Sequence, residues 1–177
     1  MAGDKPPAPA ASGAANTASV ERYRAARLAA VQGLYQMELT GVRPPMILFE
    51  FGLRGMVPEL DAKEIDIQGL EMDQSRFERL VRGVAEQRES LDAQLVTALP
   101  EDWPLDRLDS VMRAILRAGI FELLHFSEVP GRVVIDEYVD IAHAFFGGKE
   151  PAMINGVLDS LAHKVRKAEF SASSNGG

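Results

Sequence analysis

Residues 105–124 have the sequence LDRLDSVMRAILRAGIFELL, in which apolar side chains recur every three or four positions. This spacing is typical of a helix with a continuous apolar face. The apolar positions are Leu105, Leu108, Val111, Met112, Ile115, Leu116, Ile120 and Leu123. Pro104 precedes the stretch and suits a first helical turn, because its ring fixes φ and a backbone N–H is not needed there. The stretch therefore predicts a helix that packs against other helices.

The same periodicity continues along most of the chain. The other segments with helical apolar spacing are 19–39, 44–51, 77–99, 134–145 and 151–165. Proline and glycine residues separate these segments, as they commonly do between helices. A short β-branched run at 132–135 could form a strand, but it has no evident partner strand. The sequence predicts an all-α fold, a compact single-domain helical bundle of six or seven helices.

The length of 177 residues suits one domain with a tail at each end. Residues 1–18 are rich in Ala, Pro, Gly and Ser, and residues 171–177 have the sequence SASSNGG. Both segments carry too little apolar surface to offset the entropy cost of ordering, so we expect them to be disordered. The folded domain is expected to span residues 19–170, with an acidic loop at 59–73 between two of its helices.

The composition argues against several classes of function. The absence of cysteine excludes thiolate nucleophiles, disulfides and cysteine-ligated metals. His125, His143 and His163 lack the spacing of metal ligands, and the GGK segment at 147–149 lacks the other glycine of a phosphate-binding loop. No apolar run approaches the roughly 20 residues of a membrane helix. We expect a cytoplasmic protein that is not an enzyme, with no cofactor, no metal site and no membrane contact.

One local cluster of charge requires an explanation. Arg22, Arg24 and Arg27 fall in the first two turns of the first predicted helix, where the helix dipole favours acids. Arg24 and Arg27 lie about 60° apart on a helical wheel and extend the apolar stripe of that helix. Arginine offers planar, bidentate donors to phosphate, and Tyr23 beside them could stack on an unpaired base. The alternative is that these arginines pair with acids on a neighbouring helix.

Three blocks of this sequence resemble the NusB family of bacterial transcription antitermination factors. The blocks are RAARLAAVQGLYQ at 24–36, the stretch 105–124, and a third block that begins with VPGRVVIDE at 129–137 and ends with NGVLD at 155–159. Each block alone would be only a helical pattern, but their order and spacing together are specific and cover most of residues 20–165. The all-helical fold of the family agrees with the fold predicted from periodicity.

The resemblance implies a non-catalytic regulator of transcription. NusB-like proteins bind the single-stranded boxA element of nascent ribosomal RNA operon transcripts, together with the small-subunit ribosomal protein that serves as NusE. The pair acts in the RNA polymerase antitermination complex and promotes read-through of terminators. Because the net charge of this chain is −7, we expect its RNA contact to be local and its binding without the partner to be weak.

The resemblance also implies where RNA binds. The expected surfaces are the Arg-rich start of the first helix and the segment 147–155. The residues expected to contact RNA are Arg22, Tyr23, Arg24, Arg27, Lys149, Met153 and Asn155. Relatives often carry Lys-Phe-Val where this chain has Ala-Met-Ile at 152–154, so Met153 stands where an aromatic residue is common. Asn155 and Gly156 could instead allow close packing between helices.

A further prediction concerns a protein partner. Arg113, Arg117 and Phe121 share one predicted helix and could form a docking face for the ribosomal protein, although the two arginines could simply face water. A homodimer is another option for this chain. Tyr35 and Phe145 are expected in the core.

Two other functions are considered beside antitermination. One is a non-catalytic helical scaffold or dimer that binds only protein, in which the arginines make salt bridges. The other is an RNA-binding module related to the accessory domains of ribosomal RNA methyltransferases. That class requires a catalytic domain with a Rossmann-like sheet and usually a cysteine nucleophile, and we expect neither here.

Overall fold

The computed structural model describes residues 11–54 and 71–171. In these two ranges the chain forms eight α-helices and one short 3₁₀ turn, where six or seven helices were predicted. The helices are α1 (Ala11–Thr40), α2 (Pro44–Arg54), α3 (Gln74–Glu86), α4 (Arg88–Ala98), α5 (Ser110–His125), α6 (Gly131–Phe145), α7 (Glu150–Val165) and α8 (Lys167–Ser171), and the 3₁₀ turn is Leu105–Arg107. The prediction of an all-α fold is confirmed.

One of the additional helices results from a break in the segment predicted as a single helix at 77–99. The backbone N–H of Gln87 donates to the carbonyl oxygen of Gly83 at 3.0 Å and closes α3, and α4 begins at the next residue. Leu91 and Leu95 on α4 are fully buried, so the apolar spacing continues across the break. Periodicity therefore does not reveal where one helix ends and the next begins.

The first helix starts earlier than the sequence predicts. α1 begins at Ala11 rather than near Ser19, so residues 11–18 of the segment expected as a tail are helical. The alanine-rich composition that suggested a tail also favours helix, because alanine has the highest helix propensity. Residues 1–10 and 172–177, and most of the acidic loop, lie outside the described residues.

Most of the 105–124 stretch belongs to α5, the central helix of the bundle. α5 packs against α1, α3, α4, α6 and α7, and all residues from 114 to 123 are buried. The helix starts at Ser110, where the side chain of Asp109 accepts a hydrogen bond from the N–H of Val111 at 2.8 Å. The first residues of the predicted helix instead form the 3₁₀ turn. Because α5 is buried on every side from residue 114 to residue 123, other helices surround its whole circumference there.

Small side chains bring α1 close to its neighbours. Ala25, Ala26, Ala29 and Ala30 are fully buried where α1 packs against α3 and α5. At the other end of α1 the packing is less complete. Tyr35, expected in the core, is 37% exposed. Phe145, also expected in the core, is only partly buried.

Candidate nucleic-acid interface

The arginine cluster lies in the middle of α1 and not at its start. Because α1 begins at Ala11, about three turns precede Arg22, and the dipole of a helix acts only within its terminal turn. The predicted conflict between these arginines and the helix dipole is therefore absent. Along this segment Arg22 is exposed, Tyr23 and Arg24 are partly buried, and Arg27 is buried.

Arg24 forms a bidentate ion pair with α6. Its Nη2 lies 2.9 Å from Glu137 Oε1 and its Nε lies 3.2 Å from Glu137 Oε2, and Nη2 also reaches Asp140 at 3.3 Å. The hydrogen bond to Glu137 raises the pKa of the Arg24 guanidinium. The side chain remains 40% exposed, so its outer edge is accessible to a further anion.

Arg27 is directed into the bundle. Its side chain is 3% exposed, and its Nη2 lies 2.6 Å from Glu122 Oε1 on α5. Its Nε donates to both oxygens of the same carboxylate, and Nη1 lies 3.4 Å from Glu137. The alternative interpretation of the sequence, in which the arginines pair with acids on neighbouring helices, is confirmed for Arg24 and Arg27. The geometry therefore separates Arg27, which was expected to contact RNA, from the exposed residues of the cluster.

Glu122 is the centre of a buried polar network. It is completely buried, and it accepts hydrogen bonds from Arg27, from Arg76 Nη1 on α3 at 3.2 Å and from the Tyr138 hydroxyl on α6 at 2.9 Å. Burial and the adjacent charge of Glu122 raise the pKa of the Tyr138 hydroxyl well above its usual value. A buried carboxylate with two guanidinium partners keeps its charge compensated. The network joins α1, α3, α5 and α6.

The roles of Arg76, Glu122 and Tyr138 are not apparent from the sequence. Glu122 is one of six charged residues in the stretch at 105–124, so its presence there does not single it out. Its partners come from 16 to 95 positions away in the chain. Helical periodicity carries no information about such pairings.

The second predicted RNA surface contains both exposed and buried residues. Lys149, immediately before α7, and Asn155 on α7 are exposed, whereas Met153 is buried in the core. A Cβ atom at Gly156 would have open space around it, so close helix packing does not require the Asn-Gly pair. Among the described residues, no hydrogen bond or ion pair joins Lys149 or Asn155 to the arginine cluster of α1.

The residues predicted as a partner face are buried or partly buried. Phe121 is buried beside α3, and Arg117 is buried with its Nε 2.7 Å from Asp92 and its Nη1 2.7 Å from Glu38. Arg113 is partly buried and pairs with Glu38 as well. Arg113 and Arg117 line an open surface pocket of about 750 Å³, where their guanidinium groups are paired with Glu38 and Asp92. Of the three residues, only Phe121 lies away from the surface, because it packs against α3.

An apolar groove lies at the end of α1 that follows the arginine cluster. It has a volume of about 500 Å³ and is open to the surface. Its apolar lining comes from α1, α2, α5 and α6 and consists of Val31, Tyr35, Leu39, Phe51, Val111 and Phe145. Leu39 is 59% exposed, and the neighbouring helix α2 also exposes Met46 and Phe49.

Fold and site together define a class of protein: an all-helical domain with a partly accessible arginine and tyrosine surface on its first helix. In the described ranges, no group of three or more potential ligands is arranged to hold a metal ion. None of the helices in the part of the chain that the structure describes has the length and apolarity needed to cross a membrane.

Comparison with known proteins identifies the family. The model of the NusB family matches residues 24–163, and the chain belongs to this family. The transcription antitermination protein NusB of Maricaulis maris is 45% identical over 152 residues, which cover 83% of this chain and 89% of that protein. The protein of the same name from Sinorhizobium fredii is 48% identical over 142 residues, which cover 80% of this chain and 86% of that protein.

Solved structures agree with the family assignment. The structure of T. maritima NusB has a TM-score of 0.66 with 29% sequence identity, and the match covers 84% of this chain and 96% of that chain. A chain in the crystal structure of a plectonemic RNA supercoil has a TM-score of 0.63 with 23% identity, and covers 87% of this chain and 97% of that chain. At that identity, the second comparison establishes only the fold.

Proposed function

We propose that this chain is a non-catalytic transcription antitermination factor of the bacterial cytoplasm that binds the boxA element of nascent ribosomal RNA operon transcripts. It does so together with the small-subunit ribosomal protein that serves as NusE, within the RNA polymerase antitermination complex. Membership of the NusB family is the observation that carries the proposal.

The proposed RNA surface is the accessible part of the arginine cluster. Arg22 is exposed, Arg24 presents its outer edge, and Tyr23 is partly accessible between them. Arginine side chains can bind phosphate oxygens, and an aromatic ring can stack on an unpaired base. Arg27 supports this surface from below through its ion pair with Glu122 and is not among the proposed direct contacts.

Lys149 and Asn155 form the second proposed RNA contact. Both are exposed, and the open space at Gly156 leaves room for a backbone or a base to approach α7. Met153 supports this region from the core. Because the chain carries a net charge of −7, these contacts act locally, and binding in the absence of the partner is weak.

The proposed docking surface for the ribosomal protein is the apolar groove around Tyr35 and Leu39. Aromatic residues and methionine are enriched at protein interfaces, and Tyr35, with Met46 and Phe49 on the neighbouring helix α2, is exposed here. Arg113 and Arg117 hold α5 against α1 through Glu38, and Phe121 packs against α3, so none of the three belongs to the proposed docking face. A homodimer would use the same groove, so partner binding and dimer formation would compete.

The test is fluorescence anisotropy with a labelled boxA-like RNA and a scrambled RNA, with and without the ribosomal protein, at two salt concentrations. We expect selective binding that tightens with the partner and weakens with salt. The double variant Arg22→Ala/Arg24→Ala should lose RNA affinity. The slope of the logarithm of its binding constant against the logarithm of salt concentration should become less steep by about 0.7 for each phosphate contact removed. Its helicity by circular dichroism should be unchanged.

The matched control is Arg88→Ala/Arg107→Ala, which removes the same charge from two exposed positions on α4 and in the 3₁₀ turn. This variant should bind boxA-like RNA as the unchanged protein does. Equal affinity for boxA-like and scrambled RNA under every condition would contradict the proposal. The remaining interpretation would then be a helical scaffold that binds only protein.

A further inference from the structure

We infer that Arg76 is a positioning residue that holds the Tyr23 ring in place as a platform for stacking on an RNA base. The inference rests on the proposed RNA-binding function and adds to it a residue outside the arginine cluster of α1. Arg76 belongs to α3, whereas Tyr23 belongs to α1.

The contacts of Arg76 fix the plane of its guanidinium. Its Cζ lies 4.1 Å from the centroid of the Tyr23 ring and 4.9 Å from the centroid of the Phe126 ring. Its Nη1 donates to Glu122 at 3.2 Å, and its Nη2 lies 3.8 Å from Glu128. A cation over an aromatic face is attracted by the ring quadrupole, and the attraction is stronger where water is excluded. Arg76 is 8% exposed, so this contact is largely dry.

The ion pair with Glu122 does not by itself explain why Arg76 is there. Glu122 already accepts three hydrogen bonds from Arg27 and one from Tyr138. The Nε of Arg76 is buried and donates no hydrogen bond within the described part of the chain. In the part of the chain that the structure describes, the Tyr23 ring has one cation–π contact, and Arg76 provides it.

The backbone at the start of α3 reinforces this contact. The N–H of Asp73 donates to the carbonyl oxygen of Arg22 at 3.1 Å, immediately before Tyr23. The side chain of Asp73 accepts from the N–H of Arg76 at 2.8 Å and begins α3. Asp73 therefore attaches α3 to α1 and also sets the position of Arg76.

These contacts hold the Tyr23 ring in position before a base binds. A ring that is already fixed loses little conformational freedom when a base stacks on it, so more of the stacking energy appears as affinity. Tyr23 is partly exposed, and Arg76 covers one face of the ring. The ligand implied is an unpaired base of single-stranded RNA, flanked by phosphates that Arg22 and Arg24 can bind.

The experiment uses boxA-like RNA in which 2-aminopurine replaces each base in turn, because the fluorescence of 2-aminopurine is quenched by stacking on an aromatic ring. The full-length protein should quench one position. Tyr23→Leu should abolish that quenching and weaken binding by about tenfold, a typical value for one stacked base, whereas Tyr23→Phe should retain both. Arg76→Met, which keeps the length of the side chain but removes the cation, should reduce quenching and weaken binding about threefold to tenfold.

Arg79→Met is the matched control, because Arg79 lies on the same helix and over the same Phe126 ring, at 3.9 Å, and does not contact Tyr23 in the structure. It should change affinity by less than about twofold. Arg76→Met should add no further loss in the Tyr23→Leu background, because a positioning residue acts only through the ring that it positions. Thermal unfolding of each variant shows whether the fold is retained.

The outcomes separate this inference from the proposed function. If the unchanged protein does not distinguish boxA-like from scrambled RNA, the proposed function fails. If it binds selectively but no position is quenched, or if Tyr23→Leu binds as well as the unchanged protein, only the inference is overturned. Additive losses for Arg76→Met and Tyr23→Leu would show that Arg76 acts independently of Tyr23 and would also overturn it.

Discussion

Glu122 shows how a single buried charge can organise several helices. Its carboxylate is removed from water and is compensated by Arg27 and Arg76, with the Tyr138 hydroxyl as a third donor. Burying a carboxylate is expensive unless charge and hydrogen bonds replace its hydration. The network therefore specifies the relative placement of α1, α3, α5 and α6, and the arginine that seemed available to RNA is part of that placement.

At the residue scale, we predict different stability losses for two neighbouring arginines. Arg27→Ala would leave a buried carboxylate with a missing partner, so it should lower the free energy of unfolding by about 3–5 kcal/mol. Arg24→Ala removes a partly exposed ion pair and should cost about 1 kcal/mol or less. Urea unfolding followed by circular dichroism measures both. A loss of stability for Arg27→Ala that is as small as the loss for Arg24→Ala would show that the Glu122 network does not depend on Arg27.

The contact between α3 and α5 depends on a glycine. A Cβ atom added at Gly83 would overlap the ring of Phe121, which is buried against this position. The missing side chain therefore permits the close approach of the two helices. The same contact explains why Phe121 is not available as a docking residue.

At the element scale, we predict that Gly83→Ala destabilises the protein even though alanine is the better helix former. Overpacking typically costs about 1–3 kcal/mol, which exceeds the gain in propensity of about 1 kcal/mol. Gly156→Ala is the control, because a Cβ there meets nothing within 4 Å and the substitution should be neutral or stabilising. Thermal unfolding compares the two. An increase in Tm for both variants would mean that the ring of Phe121 moves aside at no cost.

At the scale of the whole molecule, ion pairs join the middle and the carboxyl end of α1 to the central helix. Near its carboxyl end, Glu38 pairs with Arg113 and Arg117 on α5, and Arg117 also binds Asp92 on α4. Burial raises the pKa of the Glu38 carboxyl, but the hydrogen bonds from the two arginines outweigh this effect, so its pKa lies below the usual value. The stability of the bundle is therefore linked to pH through Glu38.

The sign of this linkage gives a prediction for acid unfolding. A carboxyl group with a lowered pKa in the folded state contributes its full stabilisation above the unfolded pKa of about 4.3, and this is lost as pH falls through the folded pKa. Glu38→Gln should be less stable than the unchanged protein at pH 7, and the difference should shrink as pH falls below about 4.3. Urea unfolding at a series of pH values measures this difference in the free energy of unfolding. Glu89→Gln, at an exposed position on α4, is the control. A difference that stays constant with pH would contradict the assignment.

The sequence by itself determined the fold class and the family, because helical periodicity and the three blocks of NusB-like residues are local patterns that survive without coordinates. It also placed the arginine cluster on the first helix, and it left open whether those arginines bind an anion or pair with acids. It could not show the break at Gln87, since the apolar spacing is the same on both sides.

Only the tertiary structure decided which of the predicted residues remain accessible. Arg27 on α1 and both Arg117 and Phe121 on α5 are buried because these two helices pack against each other and against their neighbours, and Tyr35 is exposed because the end of α1 lies beside an open groove. The direction in which a side chain points follows from helix geometry, but what it meets depends on elements that are distant in sequence. That is also why the contact of Arg76 with Tyr23 became visible only when α3 was placed against α1.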